Sequence, residues 1–329
     1  MNFFLLKTVS IFFIFLFSFE CYSQLTDNKY RDILISEPAF NEAFIKQNKI
    51  HTLKISLSTK PDNKGIDDKG LCTYFEFDSA GRVISSYTIF IKAIWKNGGA
   101  VPPGFEKAKK IKDVETNQEN LYLYDTTFTM VMYKTNSILK RNFTGDFCNT
   151  WYYELDEKGI VKRQSNYREN NAGTSRADFK SGVQNILSDE YFEYEQAATT
   201  QIKKKCLNDE KRIYKEVIMN YDSKKNVISE SHQFAVGWMM QESAWKYNEK
   251  GWLVEKTSTS NSNGDLQEKT IYEYDTKGNV LVEKKYKNNV QTDELNNLYD
   301  ESTKLLKSQL NRLPGGNKID IVKYVYTFY

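Results

Sequence analysis

The sequence predicts an all-β fold: a curled antiparallel β-meander of repeated hairpins, either an open sheet or a partial barrel, with one short N-terminal helix. Three observations predict it. An apolar residue, Asp or Asn, two polar residues, usually Gly, one spacer and an aliphatic residue recur six times in the 329-residue chain, as in Tyr274-Asp275-Thr276-Lys277-Gly278-Asn279-Val280. The last four copies stand 26, 27 and 25 residues apart, the signature of one supersecondary unit used repeatedly. The final segment alternates Val322, Tyr324, Tyr326 and Phe328 with the two-residue period of a strand.

Each copy encodes a tight hairpin. Asp opens a type I turn by accepting from the backbone two residues on, and Gly three residues later takes the positive φ that closes the loop with a bulge. The copies begin at Asp78, Asp156, Asp222, Asn248, Asp275 and Asp300, and Gly81, Gly159, Gly251 and Gly278 are the predicted left-handed positions. Lys225 and Thr303 stand where the other two glycines would be, so those turns are expected to differ or, at the first of them, to use Asn226. Simple alternation from each turn places Tyr274 opposite Val280 and Glu273 opposite Leu281, and likewise Tyr247 opposite Leu253 and Lys246 opposite Val254. The same count puts Ile84, Ile228, Val254, Leu281 and Leu306 on a second face as an apolar stripe. Trp252 falls on the parity opposite to Tyr247 and Trp245. This stripe and Trp252 are the candidate binding surface, partly covered by the helix or by an irregular insertion.

The pattern aromatic-Tyr-Asp-x-x-Gly-x-Val/Leu, clearest in Tyr272-Glu273-Tyr274-Asp275 and Phe75-Glu76-Phe77-Asp78, resembles the YD repeat of the RHS and teneurin families. The resemblance covers about half the chain. It implies a long antiparallel sheet of strand-turn-strand units, which in large RHS proteins curls into a shell around a toxin. Here the copies are few and degenerate, and no toxin domain follows them.

Along the chain, residues 1–23 read as a secretory signal: Lys7, a Phe/Ile/Leu run from Thr8 to Phe19, then Cys21-Tyr22-Ser23 before a cut. The run falls short of the roughly 20 residues that span a bilayer. Cleavage after Ser23 exposes Gln24, which resembles signal peptides of Bacteroidota. The rival is a lipoprotein anchored at Cys21, against which Glu20 stands in place of a small residue. Residues 24–329 read as a single YD-repeat-like domain. Its 24–50 segment is helical, capped by Ser36, with Pro38 in the first turn and Phe40, Ala43, Phe44 and Gln47 on one face. His51 to Leu57 alternates as a strand, and 96–120 and 169–189 read as irregular insertions.

Removing the leader takes away Lys7 and Glu20 and leaves the formal charge at +3, with charges interspersed rather than clustered. That balance argues against a nucleic-acid partner. Of the remaining cysteines, Cys72 and Cys148 share strand parity and form a candidate disulfide, with Cys206 left over. The two histidines, His51 and His232, lie in strands without a Gly-x-Ser-x-Gly, His-Glu-x-x-His or Cys-x-x-Cys motif around them. No cofactor and no metal site is implied, since turn chemistry explains Asp62-Asn63-Lys64-Gly65 and Asn261-Ser262-Asn263-Gly264-Asp265 without an ion. The expectation is a secreted or periplasmic, non-catalytic binding or scaffolding protein of the cell envelope, whose partner is a glycan or an envelope protein. The alternatives are a remnant or partner of an RHS-type toxin system and a carbohydrate-active enzyme.

Overall fold

The computed structural model describes residues 25–26, 38–89, 92–95, 109–112, 119–122, 126–144, 146–173, 179–237, 240–261 and 266–329. The leader, with Cys21 and Ser23, and the expected helix cap Ser36 lie outside the described residues. The helix α1 spans Glu42–Gln47 and its cap is Asn41, whose side-chain oxygen accepts from the Phe44 N–H at 3.2 Å. Pro38 therefore precedes the helix instead of opening it.

Twenty-one strands follow among the described residues. The first group is β1 (Ile50–Pro61), β2 (Asp67–Phe77), β3 (Val83–Ile89), β4 (Lys92–Trp95), β5 (Lys109–Lys112), β6 (Glu119–Tyr122) and β7 (Thr126–Lys134). The second is β8 (Ser137–Phe143), β9 (Phe147–Leu155), β10 (Val161–Asn171), β11 (Ser181–Ala198), β12 (Gln201–Leu207), β13 (Ile213–Tyr221) and β14 (Val227–Phe234). The third is β15 (Met240–Tyr247), β16 (Leu253–Ser260), β17 (Leu266–Tyr274), β18 (Val280–Lys287), β19 (Val290–Tyr299), β20 (Leu306–Arg312) and β21 (Lys318–Phe328). β4, β5 and β6 form a separate three-stranded sheet, and all the others form one sheet of 18 strands, each antiparallel to the next. Of the two expected insertions, the described residues of 96–120 are β5 and the start of β6, and those of 169–189 include the end of β10 and the first half of β11.

The large sheet closes. β1 pairs with β2 on one side and with β21 on the other, so Thr52 stands between Glu76 and Thr327 and Leu53 between Phe75 and Tyr326. The expected open sheet or partial barrel is corrected to a complete 18-stranded barrel. Closure gives the two strands at the ends of the meander hydrogen-bonding partners on both sides, which an open sheet leaves to solvent. Side chains reinforce the seam: the Thr52 and Thr327 hydroxyls lie 2.6 Å apart, and the Thr59 hydroxyl donates to Asp320 at 2.7 Å.

All six motif turns lie at one end of the barrel, because one period of the repeat contains one ascending and one descending strand. In a representative turn, Asp275 Oδ1 accepts from the N–H groups of Lys277 and Asn279 at 2.8 and 2.9 Å, while Gly278 takes a φ of 90°. Gly81, Gly159 and Gly251 have φ of 89°, 78° and 79°. In the third copy Lys225 itself takes the positive φ, at 64°, and Asn226 does not. In the sixth the strained residue moves on to Lys304, because that loop is one residue longer and Asp300 N donates to the Leu305 carbonyl.

Beyond the turn the register departs from simple alternation. Tyr274 opposes Val280, but Glu273 opposes Val282, so Leu281 is an extra, bulged residue. Val254 is bulged in the same way, which places Lys246 opposite Glu255. The skip recurs at Ile84 and Ile228. A bulge increases local twist and bends the strand, and repeated beyond the motif turns it contributes the curvature that closure needs. The predicted stripe is therefore a row of bulge residues, and its fifth member is misplaced. The longer sixth loop puts Leu306 opposite Tyr299, in the core at 7% exposure.

Candidate functional site

The two faces of the closed sheet differ. Trp245, Tyr247, Leu253, Tyr272, Tyr274, Val280, Tyr299, Leu306, Tyr324 and Tyr326 share the covered face, and α1 is packed against the same face through Phe44 and Ile45. Among the described elements the N-terminal segment around α1 packs on it, and we take this covered face as the lumenal one. Phe40 anchors the N-terminal segment there, edge-on to Phe75 and Phe77 with centroids 4.8 and 5.1 Å away. The N-terminal segment thus forms a plug against the β1, β2, β3 and β20 side of the motif end.

The opposite face is charged in mid-strand. Lys246 pairs with Glu255 at 2.5 Å, Lys284 with Glu273 at 2.7 Å and Lys203 with Glu216 at 2.8 Å. A barrel wall in lipid carries an apolar outward band, and each Lys at its midplane costs about 2–4 kcal/mol. These strands are built to face water.

From β14 to β21, four tyrosines tie successive strand pairs to the pair before them. The hydroxyl of Tyr247 donates to the Val227 carbonyl at 3.1 Å, Tyr274 to Leu253 at 2.6 Å, Tyr299 to Val280 at 2.9 Å and Tyr326 to Leu306 at 2.7 Å. The acceptor is in every case the residue just before the bulge, where the register with the neighbouring strand skips. The repeat's Tyr thus satisfies the carbonyl that the repeat's bulge exposes. Burial raises the hydroxyl pKa of Tyr274, Tyr299 and Tyr326, keeping each a donor.

Between the plug and the lumenal wall lies a cavity of 250 Å³. Leu25, Thr26, Pro38 and Ala39 form one side; Val280, Glu283, Lys285, Leu295, Asn297, Tyr299, Leu306, Gln309 and Tyr324 form the other. Lys285 Nζ lies 3.3 Å from Glu283, and Gln309 Nε2 donates to Asn297 Oδ1 at 3.0 Å. Burial pushes the Tyr324 hydroxyl up to about 12. The site offers tyrosine rings, amides, one carboxylate and one ammonium: groups that meet a ligand whose hydroxyls both donate and accept.

The residues singled out in the sequence fall elsewhere, apart from Leu306, which lines this cavity. Trp252 lies 5.3 Å from the Tyr274 ring with Lys250 Nζ 4.6 Å above its face, so it spans neighbouring hairpins. Ile228 and Leu281 are each 39% exposed, and Val254 is half-buried. Cys72, Cys148 and Cys206 are free thiols. Cys72 in β2 and Cys148 in β9 are separated by β3, β7 and β8, about 19 Å along the sheet at about 4.8 Å per strand, so shared parity does not bring them within disulfide reach. His51 sits 3.6 Å from Glu76, and His232 contacts Glu230 on the lumenal face. A further turn of the same kind escaped the motif: Asn208 N donates to Arg212 O, with Lys211 at a φ of 62°. Asn and Lys replace Asp and Gly there, and the turn joins β12 to β13 at the end of the barrel opposite the six motif turns, outside the repeated array.

Fold and site together define a closed antiparallel β-barrel with an N-terminal segment packed on one side of its motif end and ion pairs on its opposite face. No family model matches the chain, and no curated protein matches it. Among solved structures it is similar to a porin-like protein from Bacteroides uniformis, at 10% identity and a TM-score of 0.39, over 84% of this chain and 98% of that one. A second similarity, to a TcdB2-TccC3-TEV structure, has 9% identity and a TM-score of 0.12, over 79% of this chain and 22% of that one.

Proposed function

We propose that the protein is an exported, water-facing β-barrel of the cell envelope that binds a small polyhydroxylated ligand, a single sugar ring, in the cavity beneath its N-terminal plug. The cavity carries this reading. Tyr299 and Tyr324 line it with aromatic surface suited to the apolar side of a pyranose, while Glu283, Lys285 and Gln309 supply acceptors and donors for its hydroxyls. Glu283 is the one carboxylate among the described lining residues, and we read the role as binding; hydrolysis of a glycosidic bond calls for two carboxylates across the bond. The charged outer wall supports a barrel that stands in water, and the leader read at 1–23 supports export.

A glycan array followed by calorimetry with the mature protein tests the reading. A monosaccharide or a terminal sugar is expected to bind, and Tyr324→Ala and Gln309→Ala are each expected to weaken it at least about tenfold, about 1.4 kcal/mol, while Trp252→Ala leaves it unchanged. Binding that survives both cavity substitutions, or an array with no hit, would overturn it. Protein recovered from its native envelope is expected to begin at Gln24.

A further inference from the structure

Glu283 and Lys285 share one strand of the cavity wall, and the lysine serves two acids. Lys285 Nζ lies 3.3 Å from Glu283 Oε1, and across the β18–β19 ladder Lys285 stands directly opposite Asp293. Residues directly opposite in an antiparallel pair share a face with Cβ atoms about 4.5–5.5 Å apart, so both carboxylates are within reach of the one ammonium. Glu283 is the covered member of its ion pair, its side chain 20% exposed against 45% for Lys285. It also stands among phenols. Tyr272 is its cross-strand partner, and after burial the Glu283 charge is the next cause that lifts the hydroxyl pKa of Tyr272, Tyr274 and Tyr324. A carboxylate among tyrosine rings, beside a cavity and with an ammonium divided between it and a second acid, is built to receive a further cation.

We propose that the ligand of this cavity carries a protonated amine, as a 2-amino sugar does, and that Glu283 is the residue that selects it. The inference rests on the sugar-binding reading above and adds the charge to it. An ammonium that enters beside Tyr299 and Tyr324 meets Glu283, while Lys285, the more exposed partner, turns to Asp293. Asp293 offers Oδ2 for it, since its Oδ1 accepts from Asn311 Nδ2 at 3.3 Å. Each carboxylate then holds one cation. A neutral sugar brings nothing that replaces Lys285 at Glu283, and an acidic sugar brings a third carboxylate to a single ammonium.

Calorimetry of the mature protein with glucosamine, N-acetylglucosamine and glucose at about pH 6, where the free amine is charged, decides it. Glucosamine is expected to bind at least about tenfold tighter than either neutral sugar. Glu283→Gln is expected to abolish that preference. Asp293→Asn, which leaves Lys285 no second acid to turn to, is expected to weaken glucosamine and leave glucose unchanged. Equal affinities of the wild type for glucosamine and glucose, both lost in Tyr324→Ala, would overturn the amine and leave the sugar cavity standing. A preference for glucosamine that survives Glu283→Gln would overturn the assignment of Glu283. A glycan array without any hit would remove the sugar-binding reading and this inference with it.

Discussion

Tyr274 donates its hydroxyl to the carbonyl of Leu253 at 2.6 Å, and this bond fastens the β17–β18 hairpin to the hairpin that precedes it. Leu253 is itself the residue opposite Tyr247, which in turn donates to Val227. From β14 to β21 the wall is thus a chain of four like clasps, each closing on the bulge of its neighbour.

Tyr274→Phe keeps the ring and removes the donor, leaving the Leu253 carbonyl at the bulge without the hydroxyl. The expected cost is about 1–3 kcal/mol, read from the denaturant midpoint at constant slope. A cost near zero would mean that water replaces the hydroxyl freely and that the clasp is incidental.

Gly81 and Gly159 have similar positive φ but different surroundings. A Cβ on Gly159 meets nothing within 4 Å, whereas one on Gly81 would lie 2.1 Å from the Glu42 carbonyl oxygen of α1. Gly159→Ala is expected to cost about 1–2 kcal/mol, the backbone penalty alone. Gly81→Ala must in addition displace the helix, adding about 1–3 kcal/mol. Equal costs in thermal denaturation would show that α1 is not held against the turn.

The turn carboxylates make stability depend on acid pH. The side chain of Asn226, with the backbone N–H groups of Asn226 and Lys224, holds Asp222 below the ordinary carboxylate value. For Asp275, burial alone would raise the pKa, but the Asn279 side chain and three backbone N–H groups outweigh it and the net direction is down. A depressed folded pKa contributes stability that is present above the unfolded value near 3.8 and is lost as pH falls through the folded value. The bidentate Arg163 guanidinium brings Asp189 to about 2, so its share is lost between about 3.8 and about 2. Asn248 fills the turn-opening position natively and accepts from Trp252 N at 3.0 Å. Asp275→Asn is therefore expected to change stability by less than about 1 kcal/mol at pH 7 and to flatten the acid limb of a pH titration of the melting temperature.

Tyrosines give the opposite limb. Burial raises the Tyr324 hydroxyl from 10.0 to about 12, so its contribution is complete below 10.0 and is lost as pH rises through that window. Alkaline unfolding followed by tyrosinate absorbance is expected to begin above pH 10, and Tyr324→Phe to move its onset upward. Ionisation of every tyrosine at the free-residue value would contradict the burial.

All three described thiols are expected to react with a thiol reagent once the protein is denatured without reductant. Fewer than three would revive a disulfide involving Cys72 or Cys148.

The sequence by itself determined the local chemistry: Asp275 and Gly278 as turn formers, the pairing of Tyr274 with Val280 directly beyond the loop, and the return of the chain to one end every 25 to 27 residues. These depend on side chains within a few residues of one another, where steric limits on φ and local hydrogen bonds dominate. What the pattern could not carry was anything that two distant segments settle between them. Leu281 is written no differently from a paired residue; it becomes a bulge because the curvature of the whole sheet demands one, and the stripe counted from simple alternation went with it. Asn41 displaces Ser36 as cap because Phe40 and Phe44 dock on a wall made of β1, β2, β3 and β20. The meander becomes a barrel only when Thr52 meets Thr327, a pairing across nearly the full chain that local spacing does not encode, and only then do Leu25, Glu283 and Tyr324 come together around one cavity.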